Sequence, residues 1–395
     1  MRLSINRNPH WIPFSLSGTD ADLLSYYQES VSHKLIGMSN PQVQSLAFRM
    51  SFSDDSVSAS AIRYAILALA AIYLFDRQRA VAYSKRATTA IRDSLVYSTT
   101  NDILQRIVAS NFLTMFETLL SPDDAPKWAT NICFSKTASI TSFTLDQKYH
   151  GDSALILEWV CYYVVLSKFS LRHFDRPPMS SIWCVKQDHL KGAVMNSFDA
   201  NQILPIGGCS MGVLMAISTT ISEVMRAEIG SDIPLESLDK LERQLKYARQ
   251  EIRVEDIDDV TRSAEATELR STAELYRLAG LIYLERAGRK VSPSNARVQQ
   301  YVNDAFSILD GLHVCGRTLP LFIISCEAST DSQKATILRL LSSTKHHYGP
   351  CNIVRVHNFI ERFWAMNELD SDQDLGYTEK MTDVLSLGDS LPAFV

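Results

Sequence analysis

The sequence predicts an all-α protein, a large array of antiparallel helices, and three observations predict it. Glycine (15) and proline (13) are scarce among 395 residues, whereas a β-sandwich or barrel consumes both in its many turns. Apolar residues recur at helical spacing in one segment after another. No segment gives a convincing strand.

The elements follow in order. Asp20 to Tyr27 reads as a short helix with acids at its positive end. Asn40-Pro41 marks a loop, and Ser51 to Ser60 is too rich in Ser and Asp to be expected in a core. Residues 57–75, rich in Ala, Ile and Leu, are apolar nearly all round and predict a central buried helix. Another, 79–96, follows a polar turn. The cleanest stripe is Leu104, Ile107, Val108, Asn111, Phe112, Met115, Phe116 and Leu119 in 102–120, all on one helical face. Pro122 and Pro126 stop it.

Helices are expected over 127–144 and 153–170. Asp175-Arg176-Pro177-Pro178 breaks the chain, and 171–206 is the longest irregular stretch, a candidate internal boundary or surface excursion. Helices resume over 208–228, 235–253, 262–287 and 295–310. The apolar run Leu319 to Cys326 has no strand partner elsewhere, so it reads as a buried helix. Helices over 331–347 and 352–369 close the body. The expected plan is an N-terminal segment (1–56), a helical body (57–369) and an acidic tail (370–395).

Charge narrows the function classes. The net charge is −5. The tail alone carries six acids (Asp370, Asp372, Asp374, Glu379, Asp383, Asp389) against Lys380, and the remainder balances at 38 against 38. A neutral body lacks the basic footprint of a direct nucleic-acid binder. The longest apolar run, Ala65 to Phe75, has eleven residues, where a spanning helix needs roughly 20. The first residues hold no signal-peptide apolar region, so an intracellular protein is expected. The seven cysteines include no Cys-x2-Cys pair. Cys161, Cys209 and Cys326 sit in apolar runs and read as reduced, buried thiols.

Candidate chemistry is sparse. Gly207-Gly208-Cys209-Ser210-Met211-Gly212 opens a helix and could cradle phosphate on free N–H groups. It lacks both the preceding strand and the Lys-Ser/Thr of a phosphate-binding loop, so a tight turn with close helix packing is favoured. His346, His347, Cys351 and His357, and the pair His313 and Cys315, match no standard metal spacing. Glu117 and Glu327 lie in or beside apolar runs, and an ion pair or helix-end bond is the expected role of each. Residues 235–253 place Arg243, Lys246, Gln250 and Arg253 on a stripe interleaved with Glu236, Asp239, Glu242 and Glu251. That is the pattern of a solvated face with ion pairs. The tail alternates acids with Leu375, Tyr377, Met381, Leu385, Leu387, Leu391 and Phe394. It reads either as a disordered activation segment or as an acidic helix packed on the body. No catalytic residue and no metal ligand is assigned, and no cofactor is implied.

Five stretches, in order, resemble the regulatory middle domain of fungal-specific zinc-cluster transcription factors. They are Asn40-Pro41 with Leu69-Ala70-Ala71-Ile72-Tyr73 and Ala80 to Leu95; Met115-Phe116-Glu117 with Trp128; Gly207 to Ile217; Glu274 to Arg286; and Leu319 to Ala328 with Gln333-Lys334-Ala335 and Phe363-Trp364. Together they cover roughly residues 20–370. The nearest likeness is to acriflavine-sensitivity regulators and to regulators of fungal metabolite clusters. The family's Cys-x2-Cys-x6-Cys cluster is missing, so no residue here inherits the DNA-reading role.

The resemblance implies a nuclear transcriptional regulator or co-regulator, shared with the cytoplasm, of a metabolite or stress gene set, and not an enzyme. It would work through a DNA-binding partner or the transcription machinery, touching DNA indirectly, with a small-molecule effector and no membrane. The alternative is a stand-alone ligand-binding or scaffold protein derived from that domain. The lack of any run of five or more Lys/Arg mildly favours this second reading, or import with a partner.

Overall fold

Every element in the computed structural model is helical. The structure describes residues 18–35, 41–120, 128–174, 190–228, 232–252, 260–349, 352–369, 376–387 and 391–394. Among these there is no strand, only two isolated bridges, Gln202 with Glu251 and Ile203 with Ser210. The all-α expectation holds.

The first half is a bundle around one apolar helix. The helix α1 (Gly18–Tyr26) runs through a π-helical turn (Tyr27–Val31) into Ser32–Lys34. It is followed by α2 (Pro41–Ser51), α3 (Val57–Tyr73), α4 (Arg77–Asp93) and α5 (Thr100–Leu119). Side-chain caps fix three starts: Ser56 accepts from the Ala59 N–H, Asp76 from Arg79 and Thr99 from Asp102. The helix α3 packs on both α4 and α5, and α5 on α6 (Trp128–Ser142). Its Ala-rich surface lets neighbours approach from several sides, as its all-round apolarity predicts.

Two expectations in this half are corrected. Residues 41–51 are helical, with proline at the first helical position, where its missing N–H costs nothing. The Ser/Asp stretch 51–60 does reach the core: Ser51 and Ser58 are fully buried. The Ser58 hydroxyl lies 2.7 Å from both Asp102 Oδ1 and Gln105 Oε1, so its polarity is satisfied. The 102–120 helix is buried well beyond its apolar stripe. Asp102, Gln105, Arg106 and Ser110 are buried too, and Arg106 bonds the carbonyls of Ser94 and Tyr97 beyond α4 at 2.5 and 2.9 Å.

The second half gathers on α7 (Gly151–Arg172) and α11 (Val260–Tyr283), the latter continued by a π-helical turn, Leu284–Gly288. Between them lie α8 (Lys191–Ser197), α9 (Met211–Glu228) and α10 (Leu235–Lys246). After them come α12 (Ala296–Gly311), α13 (Thr318–Ser325), α14 (Asp331–Tyr348), α15 (Ile353–Leu369) and α16 (Tyr377–Ser386). The run at 319–326 is helix, as expected. The helix expected over 235–253 ends at Lys246, and the expected irregular stretch 171–206 contains α8. Residues 175–189 of that stretch, with the Asp175–Pro178 break, lie outside the described residues. By length and composition α7 could cross a bilayer, which counting uninterrupted apolar runs did not show. Here 83% of its apolar window is buried inside the protein.

The C-terminal segment returns to the core. Tyr377, Met381 and Leu385 of α16 are buried, as are Leu391 and Phe394 beyond it. The Trp128 indole N–H donates to the Leu391 carbonyl at 3.3 Å, Asn352 to that of Ala393 at 2.9 Å, and the Thr318 hydroxyl to that of Phe394 at 2.7 Å. The Phe394 ring packs on Phe169 and Phe322, each centroid 5.2 Å away. Of the two readings of this segment, its described residues follow the packed one.

Candidate functional site

The helix α7 carries ionisable groups through an apolar sequence. Glu158, Lys168, Arg172 and, just past its end, His173 are all buried. Glu158 Oε1 accepts the backbone N–H groups of Ile206 and Gly207 at 2.7 and 2.8 Å. Burial pushes its carboxyl up to about 7, against the opposing pull of those two bonds and of the Arg317 charge. One turn on, the Tyr162 and Tyr276 hydroxyls meet at 2.8 Å. Arg317 donates to the Tyr162 hydroxyl at 3.3 Å and lies over its ring.

This network pins the glycine turn before α9. Gly208 has φ +71, and a Cβ there would stand 3.0 Å from Arg317 Nε. A Cβ on Gly212 would stand 2.7 Å from the Ala200 carbonyl oxygen, the acceptor of Gly212's own N–H. The N–H of Gly208 donates to Leu204, and that of Ser210 to the Gln250 side chain at 2.9 Å. These N–H groups are spent on protein acceptors. The turn therefore serves helix packing and presents no phosphate cradle on them.

Beside the network is a cavity of about 610 Å³. Five helices contribute to its wall, α6 through Lys136 alone. Cys161, Val164, Val165 and Lys168 form one face of α7, and Met215, Thr219, Ser222 and Arg226 one face of α9. Val194 and Met195 come from α8, and Arg243 and Gln244 from α10, with Tyr247 just past its end. The size suits a small organic molecule. Two other cavities differ in lining. One of about 220 Å³ includes Glu158 and His150. One of about 550 Å³ mixes Arg286, Lys290 and Lys334 with Glu327, Glu368 and Glu379.

The remaining candidates are scattered. Glu327 accepts from Arg286 Nε at 2.8 Å, an ion pair of two largely buried side chains, as expected. Glu117 is half-buried. His347 packs edge-on against Tyr348, and His357 lies 3.2 Å from Glu361. Cys351 and Arg253 lie outside the described residues. The Cys315 N–H donates to Thr344, and burial pushes its thiol up to about 12. Cys161 and Cys209 are likewise buried and pushed up to about 12, and Cys326 is raised for the same reason. On α10, Asp239 and Glu242 pair with Arg289 at 2.7 and 2.8 Å, so part of that charged face joins helices instead of facing solvent. Gln250 lies beyond the helix and donates to the Ala273 carbonyl. Sequence reasoning missed Glu158. Its signal was the one used for Glu117, a lone carboxylate inside an apolar helix.

The fungal specific transcription factor domain family model matches residues 22–388. The chain belongs to that family. Among relatives, a protein described as transcription factor iacI of Pestalotiopsis fici is 24% identical over 394 residues, covering 98% of each chain. No solved structure matches significantly. The family match runs from α1 through α16, so the α7 network, the glycine turn and the cavity of about 610 Å³ all lie within the fungal specific transcription factor domain.

Proposed function

We propose that this chain regulates a metabolite or stress gene set from the nucleus. It is held at promoters by a partner that supplies the DNA contact, and its helical body binds a small-molecule effector. Membership of the fungal specific transcription factor domain family makes it a transcriptional regulator, and the match to a named transcription factor over 98% of both chains is the observation that carries the reading. The partner enters because the seven cysteines offer no Cys-x2-Cys spacing and the chain outside 370–395 is electrically neutral. The effector enters because a cavity of about 610 Å³ lies between α7 and α10.

Chromatin occupancy of the tagged full-length protein in its native cell tests this. Discrete promoter peaks that vanish on depletion of a co-purifying DNA-binding protein are expected. A uniformly cytosolic protein without peaks would overturn it. That result favours the stand-alone ligand-binding reading, which the same cavity supports.

A further inference from the structure

We propose that the cavity between α7, α8, α9 and α10 is a binding site for an amphipathic organic anion, an acid head group on an apolar body. The inference deepens the effector reading and takes its biological meaning from it. Its physical basis is the lining. Five cationic side chains line the cavity: Lys136, Lys168, Lys191, Arg226 and Arg243. No Asp or Glu does so among the described residues. This occurs in a chain whose net charge is −5, and the cavity of about 550 Å³ mixes both signs.

The cations come from five different helices, so no single charged stripe explains the cluster. Two are built into the wall. Lys136 and Lys168 are each 4% exposed, and the Lys168 ammonium donates to the Ser218 carbonyl and hydroxyl oxygens at 2.7 and 3.1 Å. Those bonds fix the ammonium on the face that Cys161, Val164 and Val165 share. The other three belong to α8, α9 and α10. Arg226 pairs with Glu223. Lys191 and Arg243 are exposed and form no ion pair among the described residues.

Lys191 and Arg243 bring two like charges, without an ion pair among the described residues, to the mouth of one cavity, and water screens their repulsion less there than on an open surface. An entering anion removes that repulsion. A neutral ligand of the same shape leaves it, and a cation increases it. Between the charges lies an apolar patch of Val164, Val165, Val194, Met195 and Met215, beside the polar Asn201, Ser218, Thr219, Ser222 and Gln244. Two methionines give a wall that adapts to an alkyl or aromatic body. An inorganic ion such as phosphate would leave that surface wet, so the lining favours an organic acid.

The test is calorimetric titration of the purified full chain with decanoate, decanol and decyltrimethylammonium, each kept below its micelle concentration. Decanoate is expected to bind at one site, to weaken as salt rises, and to bind about tenfold or more tightly than decanol. The ammonium compound is expected to bind least. Thr219→Trp fills the cavity from an exposed position of α9 and is expected to abolish decanoate binding. The double variant Lys191→Gln/Arg243→Gln, both exposed, is expected to weaken decanoate severalfold and leave decanol unchanged. Far-UV circular dichroism checks that both variants keep the fold.

Equal affinity for decanol and decanoate would overturn the proposal, and so would unchanged binding to the Thr219→Trp variant. Failure of decanoate to bind at millimolar concentration would do the same. The readout involves no transcription. A chain that occupies promoters but ignores decanoate loses only the anion site, and a chain that binds decanoate without promoter peaks loses only the regulator reading.

Discussion

Glu158 holds two backbone N–H groups of the glycine turn with a carboxyl whose affinity for protons burial has raised to about 7 from an ordinary 4.5. The folded state therefore takes up this proton before the unfolded chain does. Its contribution to stability is fully present below about pH 4.5 and is lost as pH rises through 7, at about 1.4 kcal/mol per unit. Glu158→Gln keeps an oxygen acceptor and removes the titration. Relative to the parent, this variant should gain on the order of 3 kcal/mol between acid and mildly alkaline pH. Urea unfolding at pH 5 and pH 8 measures it, and a constant difference would refute the assignment. At Gly212 the constraint is steric. Gly212→Ala places a methyl 2.7 Å from the Ala200 carbonyl oxygen, a backbone atom with little room to yield. A loss of about 1–3 kcal/mol is expected from the same measurement.

At the scale of elements, the C-terminal segment is a structural member. Phe394 is 1% exposed between Phe169 and Phe322, and the carbonyls of 391, 393 and 394 accept from three other parts of the chain. Phe394→Ala should cost about 3–5 kcal/mol, read from the urea midpoint. A truncation at Leu369 would strip these contacts, so lost reporter output would report unfolding as readily as lost activation. Neutralising Glu379 and Asp383 on α16 separates the two. If the segment acts only by packing, Glu379→Gln/Asp383→Asn leaves reporter output unchanged. A fall in output with normal protein level would restore an activating role. The alternation of acids with apolar residues did not decide between these cases, because alternation sets a helix face only once a groove exists to receive it.

Across the whole molecule, the buried side chains form one continuous core from Leu23 to Phe394. The boundary expected near 171–206 is bridged by α7, which packs on α6 before that stretch and on α9 after it. A calorimetric scan should show a single cooperative unfolding transition. Two resolved transitions would place a domain boundary there.

The sequence by itself determined the helical class, most helix positions and the family, because periodicity, punctuation by proline and glycine, and ordered local motifs are written along the chain. It anticipated that Glu327 is paired and that Cys161, Cys209 and Cys326 are buried, since burial of a lone polar group demands a local answer. Only the tertiary structure decided that Ser58 is buried with partners, that Glu158 grips the glycine turn, that the last residues fill the core, and that five cations from five helices face one cavity. Each of these joins residues far apart in sequence. Their spacing carries no period, so only the packing of helices brings them within reach.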